Sequence, residues 1–422
     1  MHRFSFRGLT LLLALGGHLV GCGGGGGSDA VEIRVDTFNV GLAGAFVPNE
    51  SARRDPVIAA IAALESDIVC LQEVWEQSDK DRVVAAAMAA YPYSASFTTG
   101  YDTAITDATD QNGEVPPAPT TAPCAGEALS DNLEAALACI DTNCSTMPGS
   151  DDGRTTSAEC AEANCVGAVA TLLTGGAESL RCYSCLTTSL PTETLGDMRE
   201  LCTTEVHADI AFRGQSSTMI LSRHPLTNVQ NFVMPGTWNR RQVTIATATL
   251  PNGTELDVYC NHLTPVFNGL AFPYTGQYGE GETGPGGWAA EQLLQTEKLI
   301  AQVQARSGTT RPAVILGDMN TSPSGLPGIV AEAAETYNRL ASVYTPASAP
   351  GFTPECTFCP ETNANFVEDS DSVWLDHIFL ANFGADATVS TEVTFTENLA
   401  DTGSGLVPLS DHYGLAAVVR VD

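Results

Sequence analysis

The sequence predicts an α+β layered sandwich interrupted by a Cys-rich, largely helical, disulfide-stapled insertion. Three observations carry this expectation. Strand patterns outnumber helical ones and do not alternate with them, which argues against a strict strand–helix–strand repeat. Several strands are near-continuous apolar runs, as a sheet covered on both faces requires. Over residues 101–206 the composition shifts to Ala, Thr, Cys and acids, and eight of the chain's 13 cysteines fall between Cys124 and Cys202.

The elements follow in order from Val31. "IRVDTFNV" (33–40) alternates with period two and reads as a strand. "DPVIAAIAALES" (55–66) spaces Val57, Ile58, Ile61 and Leu64 as one face of a helix. "DIVCLQEVW" (67–75), "STMILSRHPL" (217–226), "VTIATATL" (243–250) and "LDVYCNHL" (256–263) read as strands. So do "AVILGDMN" (313–320), "WLDHIFL" (374–380) and "YGLAAVVRV" (413–421), while "EQLLQTEKLIAQVQA" (291–305) is helical. The chain thus divides into 31–100 and 207–422, two parts of one catalytic domain, around the insertion.

The start of the chain has another character. Arg3 and Arg7 precede the short apolar run "LTLLLALGGHLV", which is too short to span a bilayer comfortably and reads as an export signal over residues 1–21. It ends in "LVGC", which resembles a bacterial lipobox and implies lipidation of Cys22; an ordinary signal peptide is the alternative. The "GGGGGS" that follows suits a tether, residues 22–30, between an anchor and a domain. The expectation is an exported protein, lipid-anchored at the bacterial cell envelope, at the outer membrane or cell surface. Setting Cys22 aside leaves an even 12 cysteines in an exported chain, so disulfides are expected. "CTFC" (356–359) has no second CxxC at zinc-ribbon spacing and reads as another disulfide.

With 19 Lys+Arg against 50 Asp+Glu, the net charge is −31. Such a surface repels nucleic acid and anionic lipid at long range, so a phosphate-bearing substrate would need a local cationic site or a bound metal.

Several strands end on polar residues that stability alone would not select. Asn39 lies in "TFNV", Gln72 and Glu73 follow "IVCL", and Asn261 and His262 close "YCNHL". Asp318 and Asn320 close "ILGDMN", Asp376 stands inside "WLDHIF", and Asp411 and His412 precede the last strand. Each taken singly is an ordinary turn former or a satisfied structural His. Buried carboxylates are costly unless paired or metal-bound, so several of them together suggest a shared hard cation.

In this order, Asn39, "QE" (72–73), "SRHP" (222–225), "NHL" (261–263), "GDMN" (317–320), "LDHIF" (375–379) and "SDH" (410–412) resemble the motifs of the endonuclease/exonuclease/phosphatase superfamily. The resemblance implies a deoxyribonuclease-like, four-layered α/β/β/α sandwich with the site at the strand ends. It implies a divalent cation, Mg2+ with Mn2+ or Ca2+ as alternatives, held by Glu73 with Asn39 and Asp411. It further implies that Asp318 orients or deprotonates the attacking water, that Asn320 and His262 contact the phosphate, and that His412, oriented by Asp376, gives it a hydrogen bond or proton. The family's Gln appears as Gln292, but Ala289, Ala290 and Glu291 stand where an Arg is often found. Arg240 and Arg241 in "WNRRQV" are the candidates to supply phosphate contacts instead.

The wording of "LQEVW", "YPY", "SRHP" and "SDHYG" is nearest the neutral sphingomyelinase-like branch, which implies a phosphodiesterase acting on a phospholipid. The aromatic loop "VFNGLAFPYTGQYGEG" (266–281) suits a membrane interface, or equally a packed Ω-loop. An extracellular endonuclease is the second reading, although no basic stripe with interleaved aromatics is present. A lipid-anchored binding module with a vestigial site is the third. No obligate protein partner is evident.

Overall fold

The computed structural model describes residues 30–144, 158–190, 192–268, 272–365 and 371–422. The export signal, Cys22 and most of the tether lie outside them. Two six-stranded sheets form the centre. The first runs in the order β11 (Thr388–Thr394), β14 (Gly414–Val421), β1 (Val31–Leu42), β2 (Ile68–Val74), β4 (Met219–Ser222), β3 (Tyr93–Ser96). The second runs β5 (Leu226–Val233), β6 (Gln242–Thr249), β7 (Glu255–His262), β8 (Ala313–Asp318), β10 (Asp376–Ala381), β9 (Thr345–Pro346). A small hairpin, β12 (Leu399–Asp401) and β13 (Leu406–Pro408), lies apart.

Period two sorts the side chains into layers. Ile33, Val35, Ile68, Val258, Leu316 and Ile378 form one buried cluster between the sheets. The alternate residues Phe38, Val69 and Leu71 pack outward on α1 (Glu50–Ala62) and α2 (Gln77–Ala87). On the other side, Ile315 and Phe379 pack on α7 (Gly284–Ser307) and α8 (Ala334–Ala341). The result is the expected four layers, helix, sheet, sheet, helix. Cys70 on β2 and Cys260 on β7 join the two sheets through the middle layer.

The insertion supplies α3 (Glu127–Cys144), α4 (Ala158–Thr174), α5 (Ala177–Ser189) and α6 (Leu195–Thr204), packed around a core of their own. Its eight cysteines pair internally, as Cys124–Cys182, Cys139–Cys165, Cys144–Cys160 and Cys185–Cys202. Cys356 and Cys359 pair with each other.

Two local expectations are corrected. Residues 217–226 are not one strand: the chain turns at His224–Pro225 and passes from β4 in one sheet to β5 in the other. There His224 Nε2 meets Asp67 Oδ1 at 3.0 Å, while Ser222 Oγ accepts from the His224 N–H. The helix predicted at 291 begins at Gly284, because Pro285 fits a first turn that needs no donor, and it stops at Gly308. No helix among the described residues is long and apolar enough to cross a membrane.

Candidate active site

The apolar rows between the sheets end in polar residues, and the period of the strands puts those residues together. Val258 and Cys260 lead to His262 on β7; Val314 and Leu316 lead to Asp318 on β8; Ile378 and Leu380 share their face with Asp376 on β10. On β1, Ile33 and Val35 lead to Asn39. The antiparallel register sets Asp376 directly opposite Asp318, and the parallel one sets His262 beside Asp318. Glu73 breaks the alternation. Its parity would send it outward with Val69 and Leu71, but a left-handed backbone (φ 57°) turns it back toward the cluster. Close approach of β7 and β8 depends on Gly317 (φ 152°), where a Cβ would stand 1.9 Å from the Asn261 carbonyl oxygen.

Asp318 is the hub. Its Oδ2 accepts from Asn39 Nδ2 at 2.9 Å and its Oδ1 from the Asn320 N–H at 2.9 Å. His262 Nε2 lies 3.4 Å from Asp318 Oδ2 and 4.0 Å from Glu73 Oε1. His412 Nε2 lies 3.8 Å from Asp318 Oδ2, and its Nδ1 donates to Asp376 Oδ2 at 2.8 Å. Asn39 therefore serves Asp318 with its amide, while its Oδ1 accepts from the Gly41 N–H at 3.1 Å. Asn320 spends one N–H on the Leu263 carbonyl. Asp411 is set beside this group by Gly41, where a Cβ would meet Ser410 Oγ at 2.9 Å and Asp411 Oδ1 at 3.0 Å.

The two arginines part company. Arg241 lines the same cavity as Glu73, His262, Asp318 and His412, which measures about 170 Å³. It is buried, and among the described residues neither its Nε nor its Nη1 has a partner. Arg240 points the other way, donating from Nη2 to the carbonyls of Gly100 and Tyr101, and is not part of this site. Successive residues of an extended loop face opposite sides, so of the pair one alone can reach the phosphate.

The family model for the endonuclease/exonuclease/phosphatase family matches residues 37–412. The chain belongs to that family. It is thereby a phosphoester hydrolase. Among solved structures, the fold resembles a beta toxin variant from Staphylococcus aureus with bound magnesium ions (12% identity, TM-score 0.50, covering 92% of this chain and 99% of that one). Sphingomyelinase C from Streptomyces griseocarneus matches with 16% identity and TM-score 0.48 over 92% and 99% of the two chains. An endonuclease/exonuclease/phosphatase from Bacteroides vulgatus matches with 13% identity and TM-score 0.46 over 93% and 100%. At these identities the likeness is one of fold. No curated protein matches the chain in sequence.

The electrostatics of this family member follow from burial. Glu73 is pushed up, first by burial and then by the charge of Asp411. Asp318 is also raised by burial, against the pull of His412. Burial opposes charge on His412, but Asp376 and Asp318 outweigh it and hold the imidazole well above its usual value. His262 goes the other way: burial, then Arg241 and His412, keep it neutral. Burial lowers Arg241 to about 10, so it stays cationic at neutral pH. Four carboxylates (Glu73, Asp318, Asp376, Asp411) thus face two cations, His412 and Arg241. The surplus of negative oxygen donors fits a hard divalent cation. Among the described residues no three His, Cys, Asp or Glu side chains close into a full metal cage. Such a cation would keep much of its water, as Mg2+ does.

Several supporting residues carry no sequence signal. Phe212, on the exit from the insertion, stacks on Trp75 at 4.3 Å, and Trp238 packs edge-on against Phe46 and Phe267. These rings form an aromatic wall of the cavity. Glu291, in place of the expected Arg, accepts from the Thr237 N–H and the hydroxyls of Thr237, Thr264 and Tyr274. Gln292 donates to the carbonyls of Thr264 and Asn320. Helix α7 thereby fixes the loops around the site. Thr357, within the Cys356–Cys359 loop, accepts from the N–H groups of Leu375 and Asp376, and Phe358 lies against the His412 ring. In a sequence the helix's Gln was a legible signal; a Thr inside CxxC was not.

Proposed function

We propose that the protein is a divalent-metal-dependent phosphodiesterase that cleaves the headgroup diester of a phospholipid. The observation that carries this is Arg241, a buried guanidinium with two donors unpartnered among the described residues, facing the cavity that holds Asp318, His262 and His412. Orphaned buried donors cost about 1–3 kcal/mol each, and a phosphoryl group satisfies them bidentately. Glu73, to which the Asn39 side chain is hydrogen-bonded, and Asp411 would hold the metal, which when bound neutralises charge on the phosphoryl oxygens.

The chain's own groups divide the remaining work. Asp318, held by Asn39 and Asn320, orients the attacking water and takes its proton as the new P–O bond forms. Neutral His262, the second N–H of Asn320 and Arg241 contact the non-bridging oxygens. His412, charged through Asp376, stabilises the phosphorane-like charge and hands a proton to the departing alkoxide as the ester bond breaks. A diester is favoured because the aromatic wall beside the site offers a surface for an apolar or quaternary-ammonium group, and the −31 net charge disfavours a polyanion.

Phosphocholine release from sphingomyelin vesicles, plasmid nicking and p-nitrophenol release from bis(p-nitrophenyl) phosphate, each with and without EDTA, form the test. Vesicle cleavage that EDTA abolishes and that Glu73→Gln reduces at least ~100-fold is expected. Plasmid nicking without vesicle cleavage would transfer the site to the nucleases, and EDTA-resistant turnover would remove the metal.

A further inference from the structure

A second cavity lies on the far side of the loop that carries Arg241. It measures about 320 Å³ and sits where the insertion meets the catalytic sheets. The segment after β3, helix α5, the stretch after α6, and the loops before β6 and α7 all contribute to its lining. That volume is typical of a site for a small organic molecule, and boundaries between structural units are where such sites form.

Its chemistry is unusual for this chain. In a protein with 19 Lys+Arg among 422 residues, Arg181, Arg240 and His207 converge on one cavity. Arg181 is committed: its Nε and Nη2 meet both oxygens of Asp209. Arg240 is not. It is 6% exposed, and among the described residues it forms no ion pair and its buried Nε has no partner. Its contacts are two backbone carbonyls, both made from Nη2. The other lining carboxylate, Asp102, is exposed and forms no ion pair among the described residues. Burial first, with the two guanidinium groups opposing Asp209, keeps His207 below its usual value. The apolar side of the lining is Ile105, Ala108, Val115, Pro116 and Ile210. A buried guanidinium that Asp102 attracts without closing an ion pair among the described residues, facing an apolar wall, matches a ligand with an anionic head and an apolar body.

We propose that this cavity is a binding site, separate from the active site, for a small anion whose carboxylate or phosphoryl head pairs with Arg240 and whose apolar body rests on the Ala108–Pro116 wall. Head chemistry is shared between the two sources, so the probes separate them.

The mature full-length protein is titrated calorimetrically with 4-bromobenzoate, 4-bromophenylphosphonate and neutral 4-bromobenzamide, in EDTA. Binding of at least one anion, with the amide at least ~10-fold weaker, is expected, and the tighter anion names the head group. Anomalous scattering from a crystal soaked in the tighter anion should place bromine against Ala108 and Pro116. Arg240→Met removes the charge; Ala108→Trp fills the cavity and keeps Arg240, which covers the case that the first variant does not fold. Each folded variant should lose affinity at least ~10-fold. The proposal is overturned if neither anion binds better than the amide, if bromine lies elsewhere, or if a folded variant keeps wild-type affinity.

Discussion

Single side chains decide the chemistry here through what they lack as much as through what they touch. Asp376 is fully buried; one oxygen takes the His412 N–H and the other has no partner among the described residues. Its cost is justified if it keeps His412 charged, and then the two act as one unit. Asp376→Asn and His412→Ala should each lower kcat/KM by about 100- to 1000-fold, and the double variant should lose little more. Losses that add in log rate across this double-mutant cycle would show two independent groups. Arg241 makes a sharper contrast with its neighbour. Arg241→Met should cost at least ~100-fold in kcat/KM on a diester, because a charge-assisted contact in a water-poor site disappears. Arg240→Met should leave turnover within about threefold, since its side chain opens on another cavity. Equal kinetic losses would place both at the phosphate.

Secondary-structure elements explain which parts of this arrangement a reader of the sequence can see. Asn39, His262, Asp318 and Asp376 were legible because polar residues that end or interrupt apolar strands fall in the order of the family's motifs; singly each reads as a turn former or structural His, and the strand period explains only why the fold gathers them between the sheets. Glu73 was legible as a residue, but its backbone turn was not, since φ 57° at a Glu follows from no propensity. Strand β11, "TVSTEVT", was missed because a half-exposed edge strand carries no apolar row. Phe212 and Trp238 reach the site from the ends of other structures, and nothing local announces that. The Cys356–Cys359 loop was read as a disulfide, but its purpose is positional, because Thr357 holds the start of β10. Thr357→Val keeps the shape and leaves two buried N–H groups unpaired, so kcat should fall about tenfold with KM little changed; an unaltered kcat would make the loop a bystander. Helix α2 gives a separate, pH-dependent test. Lys80 is buried and donates to the carbonyls of Phe97 and Ser216, and burial lowers it to about 8 from 10.5. Between these values the unfolded chain binds the extra proton, so stability from this group rises with pH across that window. Relative to Lys80→Met, the wild type should gain up to ~3 kcal/mol between pH 7 and 10.5, read from urea midpoints; a flat difference would mean Lys80 is not desolvated.

At the scale of the molecule, the two sheets must hold one another in register to sub-ångström tolerance, because Glu73 comes from one sheet and His262, Asp318 and Asp376 from the other. Packing of the middle layer does most of this, but the layer is crossed by a covalent link two residues before His262. Cys70 and Cys260 are 190 residues apart, whereas Cys356 and Cys359 are three apart. If cross-links act by restricting the unfolded chain, the stabilisation grows with the logarithm of the loop, and the long link should exceed the short one by about 4 kcal/mol. Its removal should also be felt at the site, since β2 and β7 would be free to slide where Glu73 faces His262. Cys70→Ala with Cys260→Ala is therefore expected to lower stability by about 5 kcal/mol and to reduce kcat. Cys356→Ala with Cys359→Ala should cost about 2 kcal/mol or less in stability while lowering kcat through Thr357. Denaturant unfolding under non-reducing conditions measures both. Equal stability losses in the two double variants would show that strain or packing, not loop length, sets the value of the inter-sheet staple.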